Sequence, residues 1–396
     1  MTTRVAVAAL ALLVLCSFPA SGQTDEERRL EALKALPYVA WTEDPVEESA
    51  HGVTVHDTDR AFDGYTLYSG RSHATLVDMR GVPVHSWRND ALKEWEHAEL
   101  AVDGSLYVVL QRRGVYRLGW NGDVVWSGEA PVHHDFDVEP GGSVLAVAYD
   151  PVVIPEFGPE PVTSDRLVRL GSDGSATDVW RLSEHRLELL AWCPREALDS
   201  VSDDVPDDDW SHMNTVEIIG GNGTREGEPR GSESREPSGG LLPGNVLVCV
   251  RNLDFIGAID LLTGAFVWGW GPGELDHPHQ PTLLPNGNIL VFDNGFFRGW
   301  SRVVEYDPAS GEIVWEYAAP DRHGFFSRGR GGCQKLPNGN VLITESAKGR
   351  VFEVTPGGDV VWEFLNPSRQ LDRRGTFYRA MRYDRAFVES LLEPGE

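Results

Sequence analysis

The hydrophobic positions of this chain repeat in units of three short strands. In each unit a glycine turn precedes a run of Val, Ile and Leu. A second strand follows, and after another glycine turn a third strand ends in tryptophan. The six copies span residues 64–87, 104–126, 142–180, 244–268, 287–315 and 339–362. Strand-length apolar runs between Asn-Gly, Asp-Gly and Gly-Gly turns predict antiparallel hairpins.

Six such units predict an all-β fold, a six-bladed β-propeller with four-stranded antiparallel blades. The fourth strand of each blade is expected from the segment just before each unit. The terminal tryptophan is large enough to seal neighbouring sheets, so we expect it to pack between blades. Residues 376–392 are expected to return to the start of the ring, close it and end as a helix.

The N-terminus has the pattern of a secretory signal peptide. Arg4 precedes an apolar run, and Ala20-Ser21-Gly22 offers the small residues of a cleavage site. We therefore predict a signal peptide at residues 1–22, an N-terminal lead-in at 23–50 and the propeller at 51–390.

Two further segments have their own patterns. Residues 26–36 place leucines on one side of a short predicted helix, which Pro37 ends. Residues 219–241 are rich in Gly, Ser and Glu and predict a disordered loop insertion.

Composition narrows the classes of partner. The chain has 35 Lys and Arg against 61 Asp and Glu, a net charge of −26. Such a surface repels nucleic acid and anionic lipid. No later apolar run reaches the ~18 residues of a membrane helix. We expect an exported protein, periplasmic or extracellular, with no nucleic acid partner and no membrane span. The sequence does not determine the oligomeric state.

The cysteines do not indicate a metal centre. Cys193, Cys249 and Cys333 follow the predicted leader, and an odd number leaves at least one thiol unpaired. Their spacing is not that of a zinc site, so we expect neither a metal nor a cofactor.

Histidines recur before the first strand of successive units. His97, His134, His212 and His279 occupy one slot of the repeat, and the last copy has Gly331 there. Equivalent positions near the innermost strands converge on the axis, so four imidazoles are expected at one mouth of the channel. A single histidine in a turn more commonly binds a backbone carbonyl, and only the repetition indicates a shared use.

Arginines and aromatic residues lie near these turns. Arg251 and Arg298 follow inner strands, and a guanidinium suits a sulfate, phosphate or carboxylate. Clustered cations are a local exception in an acidic protein and therefore predict an anion site. The nearby aromatic residues, which could hold an aromatic ring, are Trp210, Trp270, Phe296, Phe297, Trp300, Phe325 and Phe326.

Four segments resemble the bacterial arylsulfate sulfotransferase family, over roughly residues 50–385. They are DDWSHMNTVE (208–217), VCVRN (248–252), HPHQPTLLPNGNILVFDNGFFRG (277–299) and YRAMRY (378–383). The resemblance implies a six-bladed periplasmic propeller with its active site at the channel centre. A histidine would take the sulfuryl group from an aryl sulfate and pass it to a phenol, without a metal or nucleotide.

The resemblance and the repeat together predict the site residues. The predicted catalytic residues are His212, His279, Arg298 and His134. The predicted substrate-binding residues are Arg251, His97, Asn214, Lys348 and Arg350.

The nucleophile is where this chain departs from the family pattern. The family has a nucleophilic histidine in the last blade, where this chain reads TESAKGRVFEV (344–354). His323, an axial histidine or Lys348 could substitute, or the transferase chemistry is lost.

Two other functions stay open. A non-catalytic exported propeller could bind a sulfated or aromatic ligand or scaffold envelope proteins. A quinone-cofactor dehydrogenase is suggested by the TG…W pattern at 263–268, but those enzymes resemble larger propellers with more such motifs.

Overall fold

The computed structural model describes Thr42 and residues 50–392, apart from 71, 190, 194–208, 222–238 and 371–372. The predicted signal peptide, the lead-in helix and most of the loop insertion lie outside the described residues. The chain divides into Met1–Val39, which also lies outside them, and Ala40–Glu396, which carries every element below. No helix among the described residues is long and apolar enough to span a bilayer.

Six antiparallel sheets form the blades, and the prediction of a six-bladed propeller is confirmed. From the axis outward, blade 1 contains β27 (Ala380–Asp384), β2 (Gly64–Ser69), β3 (His73–Val77) and β4 (Pro83–Arg88). Blade 2 contains β5 (Trp95–Leu100), β6 (Leu106–Leu110), β7 (Gly114–Leu118) and β8 (Val124–Glu129). Blade 3 contains β9 (Val132–Val138), β10 (Val144–Val152), β11 (Val162–Leu170) and β12 (Ala176–Arg181).

The other three blades repeat this order. Blade 4 contains β13 (Met213–Ile218), β14 (Val246–Val250), β15 (Phe255–Ile259) and β16 (Phe266–Trp270). Blade 5 contains β17 (His279–Leu283), β18 (Ile289–Asp293), β19 (Arg302–Asp307) and β20 (Glu312–Tyr317). Blade 6 contains β21 (Gly332–Lys335), β22 (Val341–Glu345), β23 (Arg350–Val354), β24 (Val360–Leu365) and β1 (Gly52–His56).

Elements outside the blades are short. A hairpin pairs β25 (Arg369–Gln370) with β26 (Arg373–Arg374), and helix α1 (Arg186–Leu189) follows blade 3. Helix α2 (Arg385–Leu392) ends the described chain and buries Val388 against blades 1 and 2.

Both ends of the chain close the ring. The C-terminal β27 pairs with β2 and supplies the innermost strand of blade 1, as predicted for residues 376–392. The N-terminal β1 pairs with β24 and covers the outer edge of blade 6. An unpaired strand edge exposes backbone donors and acceptors, so this pairing also removes a site for association.

The tryptophans that end the units join neighbouring blades. Trp126, Trp180, Trp315 and Trp362 each donate their indole N–H to a carbonyl in the next blade, to Gly171, Gly264, Pro356 and Met79 respectively. In each case the acceptor lies in or beside the turn between the third and fourth strands. The expectation that these rings pack between blades is confirmed.

The hydrophobic core is divided among the blade interfaces. One cluster joins blades 1 and 2, with Trp87 and Leu100 fully buried, and another joins blades 6 and 1, with Trp362 and Phe364. Burying one large apolar side chain contributes ~1.5–3 kcal/mol, so each interface is held mainly by packing. Cys193, Cys249 and Cys333 are buried in these clusters, and none of them forms a disulfide.

A belt of hydrogen bonds joins the innermost strands around the axis. At each interface a side chain of one inner strand accepts a backbone N–H from the inner strand of the next blade. With the backbone N–H donor first and the side-chain acceptor second, the pairs are Leu100 and Tyr383, His134 and Glu96, Val216 and Asp135, Gln280 and Thr215, Cys333 and Gln280, and Arg382 and Gln334. A buried backbone N–H without a partner costs folding free energy. On its axial side an inner strand has no neighbouring strand to bond, and these side chains supply the missing acceptors.

We predict that Tyr383→Phe destabilises the protein by about 1–3 kcal/mol, because the buried Leu100 N–H loses its acceptor. That bond is 2.9 Å long and links blades 1 and 2. Urea denaturation measures the free energy of unfolding. Tyr317→Phe is the matched control, because the Tyr317 hydroxyl makes no hydrogen bond within the described residues. Equal losses in the two variants would contradict the prediction.

Candidate active site

Two histidines from adjacent blades meet at the axis. His134 lies in β9 and His212 directly precedes β13, and their Nε2 atoms are 2.9 Å apart. Both have left-handed backbones, with φ of +63° and +50°. That conformation costs a non-glycine residue roughly 1–2 kcal/mol, so the surrounding structure must impose it. Around His212 the buried Asp165 does this, because it accepts from the Ser211 hydroxyl and the Met213 N–H.

Each ring of this pair has a carboxylate beside it. Asp209 Oδ2 lies 2.5 Å from His212 Nδ1, and Glu96 Oε1 lies 3.6 Å from His134 Nδ1. Burial opposes ionisation of both carboxyls, but the adjacent histidines hold the pKa of each at about 2. Burial lowers the pKa of His134 to about 3, so that ring is neutral.

These contacts define where the protons lie. Asp209 accepts the Nδ1–H of His212, which leaves Nε2 of His212 facing Nε2 of His134. When His212 carries protons on both nitrogens, His134 accepts the second and directs its own N–H toward Glu96. The pair therefore holds one exchangeable proton at the axis, which suits acid–base chemistry.

The loop before β17 brings in two more histidines. His277 Nδ1 lies 3.0 Å from Asp276 Oδ1, and His279 Nδ1 lies 2.7 Å from Asn294 Oδ1. Burial lowers the pKa of both rings, most strongly that of His279, where the charge of Arg251 adds to the effect. Asn214 donates to the Pro278 carbonyl between them and thereby fixes the loop.

Arg251 supplies the positive charge of this group. It begins the 3₁₀ turn Arg251–Leu253 after β14, and its Nη1 donates to Asn252 Oδ1 over 3.1 Å. Its buried Nε has no hydrogen-bond partner within the described residues. Burial lowers the pKa of Arg251, yet a guanidinium remains charged in proteins. The structure thus brings one arginine with an unused donor beside four histidines.

The other predicted arginine has a different environment. Arg298 pairs with the buried Asp293 over 3.1 Å, donates to the Trp300 carbonyl and stacks over the Trp300 ring. Its guanidinium therefore holds the loop that carries Phe296 and Phe297.

Several other predicted residues do not join the histidine group. His97 is buried and bonds Glu99 at 2.7 Å, and the Tyr378 ring lies beside both it and His134. Lys348 and Arg350 both pair with Glu345, at the turn between β22 and β23 of blade 6. His323, one of the alternatives for the missing nucleophile, is exposed in a surface turn.

The last blade cannot supply an imidazole at the shared slot. Gly331 has φ of +138°, and a Cβ there would lie 2.7 Å from the Phe292 ring. At Gly332 a Cβ would lie 2.0 Å from Gln280 Oε1, the acceptor in the inner belt. The packing of blades 5 and 6 therefore leaves no room for a histidine at this position.

An aromatic rim borders the cluster. The His277 ring stacks on Phe296 with centroids 4.6 Å apart, and Phe297, which is 65% exposed, packs edge-on against both. Phe157 packs on Trp210, two residues before His212. Exposed rings beside an arginine and histidines favour an aromatic anion as ligand.

Among the residues that the structure describes, two groups have donor sets that could hold a cation. They are His97, Glu99 and Asp135, and Asp254, Asp276 and His277. In the first, Arg379 Nη1 lies 3.1 Å from Asp135 and already balances its charge. In the second, Asp254 and Asp276 accept backbone N–H groups, and Asp276 also pairs with the His277 ring.

Sequence reasoning missed three residues of the site, which are Asp209, His277 and Asn294. Each lies inside a segment that carried the resemblance: three residues before His212, two before His279 and within FDNG (292–295). Only His277 had a signal of its own, because HPHQ places two histidines on one loop. The roles of the other two depend on contacts that the spacing does not show.

We predict that the free energy of unfolding of Asp254→Asn, relative to that of wild type, increases as the pH rises. Burial, with the charges of Asp276 and Asp293, raises the pKa of Asp254 to about 7. The contribution of Asp254 to the stability of the wild-type protein is therefore most favourable at low pH, where the carboxyl is protonated. The wild-type protein loses this free energy of unfolding as the pH rises through about 7, because the buried carboxyl must then ionise. Asparagine does not ionise and tolerates the left-handed φ of +54°.

The unfolding free energy of the variant relative to wild type should increase by about 1–2 kcal/mol between pH 5 and 8. Urea denaturation at both pH values measures this difference. Asp123→Asn, at an exposed position, is the control. The same relative stability of Asp254→Asn at both pH values would refute the assignment.

Comparison with known proteins identifies a family for most of the propeller. Two family models, both described as Arylsulfotransferase (ASST), match residues 172–367 and 64–224. No curated protein matches this chain.

Solved structures share only the fold. A protein of unknown function from Bacteroides caccae is 13% identical with a TM-score of 0.52, over 81% of this chain and 99% of that one. A streptogramin B lyase is 12% identical with a TM-score of 0.45, over 82% and 87%. The first supports the propeller alone, and the second carries no functional argument.

Proposed function

Because the chain belongs to the arylsulfotransferase (ASST) family, we propose that it transfers a sulfuryl group from an aryl sulfate to a phenolic acceptor at the propeller axis. The observation that carries the proposal is the grouping of Arg251 with four histidines inside a protein of net charge −26. We place this activity outside the cytoplasm, on the strength of the leader-like N-terminus.

Arg251 binds the sulfuryl oxygens in this proposal. Sulfuryl transfer, like phosphoryl transfer, spreads negative charge over the equatorial oxygens, so fixed cations stabilise its transition state. The unused Nε of Arg251 provides a directed donor in a buried setting, where such an interaction is strong. The rings of Phe296 and Phe297 hold the aryl group of the donor or acceptor.

His212 is the acid–base group. The leaving aryl oxygen needs a proton, and the acceptor phenol must lose one. His212 Nε2 gives and takes this proton, with Asp209 on Nδ1 and His134 as its resting partner. The left-handed backbone and the anchors on Asp165 hold the ring in place before substrate arrives.

Binding without turnover is the second candidate, and one observation favours it. Blade 6 presents Gly331 where blades 2 to 5 present histidines, and packing forbids a side chain there. A propeller with this axis would retain the anion pocket without the group that accepts sulfuryl in the family.

We predict that 4-nitrophenyl sulfate releases 4-nitrophenol faster when phenol is added, because the group is transferred to the phenol. Absorbance follows the release. Arg251→Gln should lower kcat/KM by about 10²–10³-fold, the effect of removing one fixed donor to developing charge. Arg80→Gln, at an exposed arginine in the turn between β3 and β4, is the matched control. Tight binding of the aryl sulfate without release would instead support the binding protein.

We predict that Asp209→Asn lowers kcat by about 10²–10⁴-fold with little change in KM. An amide can donate its N–H to His212 Nδ1. The neutral ring would then carry its proton on Nε2, and Nε2 could no longer accept the proton of the phenol. Steady-state kinetics across pH measure the effect. An unchanged kcat would show that His212 does not handle the proton.

A further inference from the structure

The structure orients one imidazole of the axis more strictly than the others. His279 Nδ1 faces Asn294 Oδ1 at 2.7 Å, and the fully buried Asn294 cannot turn its amide around. Its Nδ2 donates to two carbonyls, those of Ser327 at 2.6 Å and Arg330 at 2.9 Å. The Asn294 oxygen must therefore face His279, which makes Nδ1 of His279 the protonated nitrogen.

The other nitrogen of His279 is free for chemistry. With the proton on Nδ1, Nε2 carries a lone pair, and it makes no hydrogen bond within the described residues. The ring is neutral because burial and the charge of Arg251 lower its pKa well below the ordinary value. Nucleophilic catalysis needs this combination, which is an unprotonated nitrogen, fixed in direction, beside a cation.

Other imidazoles of the site lack one part of this combination. His134 and His212 direct their Nε2 atoms at each other. Nε2 of His277 makes no hydrogen bond to any residue that the structure describes, but its Nδ1 lies 3.0 Å from Asp276 and 3.6 Å from Asp254. An approaching sulfate anion is repelled by those carboxylates, whereas Nδ1 of His279 bonds a neutral amide.

We propose that Nε2 of His279 is the atom that accepts the sulfuryl group in this chain, in place of a histidine in the last blade. The inference rests on the proposed sulfuryl transfer and names the covalent intermediate. Gly331 explains why the position differs, since blade 6 has no room for the ring.

The two half-reactions balance as follows. The Nε2 lone pair attacks sulfur, the N–S bond forms, and the aryl oxygen leaves with the S–O bonding pair and takes the proton from Nε2 of His212. The positive charge of the sulfated ring is offset by its own sulfonate, while Nδ1–H still donates to Asn294. The phenol oxygen then attacks sulfur, the N–S pair returns to Nε2, and the phenol proton returns to His212.

Mixing the enzyme with 4-nitrophenyl sulfate in the absence of phenol tests this assignment. Wild type should show a burst of 4-nitrophenol equal to the enzyme concentration, and an alkaline quench should leave one SO₃ group on the protein. His279→Gln should lose both the burst and the adduct. His323→Gln, at an exposed histidine outside the site, should retain both.

A rescue separates chemistry from folding. In His279→Gly the cavity admits free imidazole, which should restore release of 4-nitrophenol in proportion to its concentration.

The outcomes distinguish this inference from the proposed function. Phenol-dependent turnover without a burst, or an adduct that survives in His279→Gln or is lost in His323→Gln, overturns the assignment of His279 and leaves the transferase in place. No release by wild type, even with phenol, overturns the transferase and this inference with it.

Discussion

The structure depends on how the innermost strands satisfy the backbone donors on their axial edges. An inner strand has a ladder on one side only, and its other edge faces a narrow buried channel. The solution is a belt in which a side chain of each blade accepts an N–H from the next, from Glu96 to His134 and onward to Tyr383 and Leu100. The axis must therefore be lined with polar side chains, and a site rich in ionisable groups is a consequence of the fold.

That constraint also orients the site. Gln280 donates its backbone N–H to Thr215 of blade 4 and accepts from Cys333 of blade 6, so it joins three blades directly beside His279. Asn294 performs a similar task one strand further out, where it bonds His279 and two carbonyls before blade 6. Because the same contacts that close the ring also fix the imidazole, the position of Nε2 does not depend on a mobile loop.

Periodicity in the sequence predicted the fold well, because a propeller is made of local hairpins with turn signals and a repeated tryptophan. Repetition at one slot, which is visible without a structure, also predicted His134, His212 and His279, three of the four histidines that the structure brings together, whereas His277 lies outside that slot. It did not predict that His97 bonds Glu99 while His134 pairs with His212, because bulges in β5 and β9 change where each ring points. Nor could spacing show that Arg251 has an unused donor while Arg298 is held by Asp293.

The partners of the four imidazoles indicate a division of labour that residue types alone do not. A carboxylate beside an imidazole accepts its Nδ1–H, as Asp209 does for His212, and so leaves Nε2 to give and take protons. An amide beside an imidazole fixes the proton on one ring nitrogen without adding charge, as Asn294 does for His279. The ring stays neutral, and its other nitrogen can bond an anionic group. In the second half-reaction of the proposed transfer this ring would also leave sulfur, and a less basic nitrogen leaves more readily. The burial that makes charge costly at the axis therefore favours both steps at His279, and a carboxylate in place of Asn294 would work against the second.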